Sequence, residues 1–105
     1  MIVDCHIHLA RPLSGFWQAL RYGLVRDRGR ILQAMPPAFD PPACPPEMAL
    51  AYMDQAGVEF AFVVQHHLYG DQNALVTEAV RRWPDRLCGF AYLGRMDQPD
   101  GPSQL

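Results

Sequence analysis

Residues 2–9 read IVDCHIHL, and whether that alternation is a strand decides the fold. Successive side chains of a strand leave on opposite faces. A strand therefore sends Val3, Cys5, Ile7 and Leu9 one way and Asp4, His6 and His8 the other. Two more apolar runs follow. FAFVVQ (60–65) is continuous, β-branched and aromatic, and LCGFAYL (87–93) resembles it. Such runs read as strands buried on both faces, as in a parallel sheet.

The segments between them read as helices. Pro45 and Pro46 suit a helix start, Glu47 favours the first turn, and Gly57 suits the stop. Within that span Leu50, Met53 and Ala56 recur at spacings of three. From Ala74 to Trp83 the residues Leu75, Val76, Ala79, Val80 and Trp83 form one apolar stripe, which Pro84 ends. Asn73 is expected to cap that helix, and Met48, Met53, Trp83 and Phe90 are expected in the core. Strand, helix, strand, helix, strand makes two successive βαβ units of an α/β fold.

Residues 10–44 lack sustained periodicity and are expected as a long loop, with a short helix over Ser14–Tyr22 that Gly23 stops. Six prolines between 36 and 46 reinforce that reading. A loop this long commonly lines or covers a site. Arg26, Arg28 and Arg30 within it read either as a clamp for a substrate carboxylate or as a solvated turn.

Composition narrows the function classes. Half the residues are hydrophobic and 19% are charged, as in a globular domain. A net charge of −2 leaves no electrostatic footprint for nucleic acid and no basic face for an anionic membrane. No apolar run reaches the roughly 20 residues of a membrane span. Asp4 interrupts the opening apolar run and no basic region precedes it, so no secretory leader is expected. Cys5, Cys44 and Cys88 are odd in number and lack CxxC spacing, which points to reduced thiols in a cytoplasmic protein.

The alternation places His6 and His8 together at the C-terminal end of the first strand, where parallel α/β folds bind ligands. Imidazoles about 7 Å apart along a strand can converge on one metal ion. The competing reading is a pair of structural histidines bonded to backbone or carboxylate. Asp4 either orients one of these imidazoles or bonds a backbone amide. Gln65, His67 and Tyr69, on or just after the second strand, read as substrate contacts or as an ordinary polar loop. Cys5 is expected to face away from the histidines. No phosphate-binding loop, serine-nucleophile motif or catalytic-cysteine signature is present.

Four stretches, IVDCHIHL, PPEMALAYMDQAGVEFAFVVQ, YGDQN and EAVRRWPDRLCGFAYL, carry a family resemblance. In their order and spacing the sequence resembles the amidohydrolase superfamily, in particular the amidohydrolase-related branch of metal-dependent TIM-barrel hydrolases and decarboxylases. The resemblance covers nearly the whole chain and implies a partial (β/α)8 barrel. Residues 1–105 would be the N-terminal portion of one barrel domain, about three of eight strands with two crossover helices.

It further implies His6 and His8 as first-strand ligands of a divalent metal, zinc by default, with manganese, iron or cobalt also suited to mixed nitrogen and oxygen donors. The implied substrate is a small carbonyl, amide or lactone compound that is hydrolysed. The alternative chemistry is decarboxylation, and the alternative of another class is a short non-catalytic metal- or partner-binding protein. The family's further histidines and its last-strand aspartate have no counterpart here, and His66 and His67 do not match them. The general base is therefore expected beyond residue 105, and these residues alone are expected to be inactive. A three-stranded parallel sheet also leaves an apolar edge, through which self-association is expected.

Overall fold

A computed structural model of the chain describes residues 1–11, 13 and 15–94. Ser14, where the expected short helix begins, and the tail from residue 95 lie outside the described residues. Strand β1 is Val3–Ile7, and after a long excursion come helix α1 (Pro46–Ala56), strand β5 (Phe60–Val63), helix α2 (Asn73–Arg82) and strand β6 (Leu87–Gly89). Strands β1, β5 and β6 form one parallel sheet in that order. This is the α/β arrangement of a partial TIM barrel, as the sequence reading expects. Among the described residues no helix is long and apolar enough to cross a membrane.

Both helices cover the same face of that sheet. Ala49, Leu50 and Met53 of α1 and Leu75, Val76 and Ala79 of α2 close over Ala61, Val63 and Leu87, with Leu9 completing the cluster. The three strand residues are at most 1% exposed. Alternation sends Phe60 and Phe62 to the opposite face, where their rings meet edge to face. Phe62 stacks on Phe90, with centroids 6.0 Å apart. Phe90 is more than half exposed and so lies outside the helix-side core, contrary to its expected place. Phe62 and Phe90 share a face that neither helix covers.

Residues 10–44 hold more structure than a loop. Strands β2 (Trp17–Ala19), β3 (Leu24–Asp27) and β4 (Arg30–Gln33) form an antiparallel meander. This corrects the expected helix over Ser14–Tyr22. The physical reason is turn chemistry. Tyr22–Gly23 and Arg28–Gly29 each place two successive residues at positive φ, 56° and 73°, then 49° and 78°. At Arg28–Gly29 the pair is the two-residue turn between β3 and β4, whose twist suits a hairpin, while Tyr22–Gly23 closes the longer connection of residues 20–23 between β2 and β3. The meander has its own small core, built on Ala10, Leu13 and Val25, with Trp17, Leu32, Met35 and Tyr69 packed on it.

Candidate functional site

The histidines reach their positions through a fault in strand β1. Asp4 pairs with Ala61 and Ile7 with Val63, so three steps along β1 oppose two along β5. An extra residue re-phases every side chain after it. Ile7 therefore packs on the helix-side core, while Val3 and Cys5 are exposed. Asp4 lines the same cavity as Ile7, beside Tyr52 and Met53 of α1. The strict alternation expected over residues 3–9 is corrected accordingly. Asp4 leaves the imidazoles alone, and its Oδ1 accepts the backbone N–H of His6 at 2.9 Å.

His6 and His8 do come together. Their Nε2 atoms are 3.2 Å apart and their rings meet edge to face. His8 Nδ1 lies 2.6 Å from the carbonyl oxygen of Val64, just beyond β5. A carbonyl only accepts, so in the neutral ring the proton sits on His8 Nδ1 and the Nε2 lone pair faces His6 Nε2. A backbone acceptor of this kind commonly fixes the tautomer of a metal-binding histidine. Two nitrogens each about 2.0–2.1 Å from a tetrahedral ion stand about 3.3 Å apart, close to the observed separation. The pair thus fits two adjacent positions on one metal. Among the described residues no group of three or more His, Cys, Asp or Glu side chains converges on one point.

The turn after β5 forms the opposite wall. Tyr69 is half-buried, its ring 5.1 Å from that of His8 and 5.9 Å from Trp17 of the meander. Burial, and then the neighbouring Cys44, push its phenol above the ordinary range. His67 is exposed, with its ring 5.3 Å from Phe16. His66, which the sequence reading assigns no role, lies 6.5 Å from the His8 ring and 4.1 Å from the His67 ring. Burial lowers its pKa below the usual imidazole value, and the nearby His67, His8 and His6 lower it further.

Gln65 sits at the root of this turn with its amide fully engaged. Its nitrogen donates to Asn73 Oδ1 and to the carbonyl of Phe90, and its oxygen accepts the N–H of Gln72. Asn73 holds both the N–H and the carbonyl of Tyr92, so its side chain is unavailable as a helix cap. Asp71 Oδ1 accepts the Asn73 N–H instead. Gln72 is 6% exposed and bonds Arg11 at both N–H and carbonyl as well as the carbonyl of Tyr69. Three amide side chains therefore tie the ends of β1, β5 and β6 together around the histidines. Sequence reasoning missed this network because amides carry no periodic signal.

The meander docks on the same turn. Phe16 and Trp17 donate their N–H groups to the carbonyls of His67 and Leu68. A Cβ on Gly15 would lie 2.1 Å from the His67 carbonyl oxygen and 2.4 Å from the Gly70 nitrogen. Only a residue without a Cβ allows this approach. Arg26, Arg28 and Arg30 are exposed on the β3–β4 hairpin, which is the solvated-turn reading of that cluster.

Comparison with known proteins gives a consistent picture of the fold. The family model described as amidohydrolase matches residues 3–105. No protein of curated function matches the chain. A crystal structure of a probable 2-pyrone-4,6-dicarboxylic acid hydrolase from Acinetobacter baumannii, with citric acid bound, matches with a TM-score of 0.57 at 17% identity. The match covers 98% of this chain and 33% of that one, so the chain spans about a third of that protein's length.

Proposed function

The chain belongs to the amidohydrolase family, and from that premise we propose that it contributes part of the site of a metal-dependent hydrolase of small carbonyl, amide or lactone compounds. The observation that carries this reading is the His6–His8 pair, with Nε2 atoms 3.2 Å apart and the His8 tautomer held by Val64. His6 and His8 would hold a divalent metal, zinc in the first instance. Such an ion, when bound, lowers the pKa of water toward neutrality and polarises a carbonyl oxygen. The chain's own part is positional. Val64 keeps the His8 Nε2 lone pair on the side of His6, and the Gln65–Gln72–Asn73 network fixes the turn that carries Tyr69. Tyr69 and His67 contact substrate in this reading, and Gln65 acts by holding their turn in place.

The structure that shares the fold is described as a probable 2-pyrone-4,6-dicarboxylic acid hydrolase, and a 2-pyrone is a cyclic ester, so a lactone is the first substrate to try. The uncovered Phe62–Phe90 face supports closure by further strands, from the same chain or from a second copy. The test is zinc uptake by calorimetry. Wild-type protein is expected to bind one ion, and His8→Asn or His6→Ala to weaken binding by at least tenfold. Equal zinc binding by wild type and both variants would remove the metal reading.

A further inference from the structure

The sequence reading leaves His66 without a role, yet its surroundings define one of its nitrogens completely. The turn His66–Tyr69 brings the backbone N–H of Leu68 to His66 Nδ1 at 3.2 Å. An amide only donates, so Nδ1 is the acceptor and the proton of the neutral ring lies on Nε2. His8, 6.5 Å away between ring centres, carries the opposite tautomer because Val64 takes its Nδ1 proton. The two rings therefore present complementary chemistry, a lone pair on His8 Nε2 beside His6 and an N–H on His66.

The Nε2 of His66 bonds to no described residue. It is also absent from the buried atoms that lack a partner, of which Asp27 Oδ1 is the sole case among the described residues. Among the described residues the N–H is therefore left without an acceptor, on a ring 6.5 Å from that of His8. Around it stand His67, with ring centres 4.1 Å apart, and Tyr69 at 6.2 Å, so the ring is held on two sides. A neutral N–H held at a fixed angle is a donor that meets a carbonyl or carboxylate oxygen without reorganisation.

We infer that His66 binds substrate: its Nε2–H donates to a carbonyl or carboxylate oxygen of the molecule held beside His8, and His66 is not a metal ligand. A metal ligand at Nε2 would need the lone pair that the Leu68 amide assigns to Nδ1. The inference rests on the proposed hydrolase site for the identity of the ligand, and on the turn geometry alone for the identity of the donor.

The test is nitrogen-15 spectroscopy of the imidazole rings in the full chain above pH 7. Two probes are used, zinc alone and citrate alone. His66 is expected as the Nε2–H tautomer and His8 as the Nδ1–H tautomer. Zinc is expected to shift the Nε2 signals of His6 and His8 while the His66 Nε2 proton stays in place. Citrate is expected to move that proton, with affinity at least about tenfold weaker in His66→Leu than in His66→Gln, which keeps an N–H near the same point. An Nδ1–H tautomer at His66, loss of its Nε2 proton to zinc, no response to citrate, or equal affinity in the two variants would each overturn the inference. Silence of His6 and His8 toward zinc, with the citrate shift at His66 intact, would instead sink the metal reading alone.

Discussion

The parallel sheet and the antiparallel meander are built on opposite principles. The sheet brings together strands distant in sequence, β1 with β5 and β5 with β6, under two helices. Its stability lies in the side chains between those layers, and no described residues form such a layer on its far face, with Phe62 and Phe90. The meander joins neighbours in sequence through two glycine turns and leans on the turn at residues 67–70 and on residues 35–40, where Asp40 accepts both Arg21 and the Tyr22 N–H. Thus one region depends on long-range apolar packing and the other on local backbone geometry plus docking.

The largest effect should separate the two faces of the sheet. Leu87→Ala removes a side chain that is 1% exposed in the helix-side core and should cost about 2–5 kcal/mol. Phe90→Ser, on the uncovered face, should cost under about 1 kcal/mol, because that ring is already 54% exposed. Urea denaturation of both variants checks the contrast. Equal losses would mean that the Phe90 face is covered in solution.

The smaller intermediate effect should part the meander from the sheet. Gly15→Ala puts a Cβ against the backbone of His67, Leu68 and Gly70, atoms that cannot turn aside. We expect a loss of about 1–3 kcal/mol, the range for overpacking. Amide exchange shows where it falls: the Trp17 N–H should lose protection while those of Ala61 and Val63 keep theirs. If all three amides lose protection together, the meander and the sheet form one cooperative unit and the contrast drawn between them fails.

This difference also explains what could be read from the sequence. The helices and the three parallel strands announce themselves because Leu50, Met53, Leu75, Val76, Ala79 and FAFVV repeat on scales set by helix and strand geometry. His6 and His8 were legible as a pair for the same reason. The rephasing of β1 was not, because an irregular register leaves the composition of the strand unchanged. The meander was hidden by its brevity, with strands of three and four residues too short to show a period. Its one available signal was the pair of turns that end in glycine, at 20–23 and 28–29. The place of His66 depends on a hydrogen bond to Leu68 two residues on, which nothing in the order of residue types reveals.

The smallest effect tests whether those turns carry the meander. Arg28 holds φ at 49° while exposed at the hairpin tip, and its Nε lies 3.8 Å from the Asp27 carboxylate. An exposed pair at that distance contributes little. A side chain branching at ordinary Cβ geometry pays steric strain at positive φ, which asparagine relieves through local hydrogen bonding. Arg28→Asn is therefore expected to stabilise by about 0.5 kcal/mol, and amide exchange should slow at Val25 and Leu32 and stay unchanged at Ala61. Slowing at Ala61 as well would mean that the hairpin's gain is transmitted to the sheet through the Gly15 seam. No gain anywhere would mean that docking at residues 67–70, rather than the turns, shapes residues 17–33.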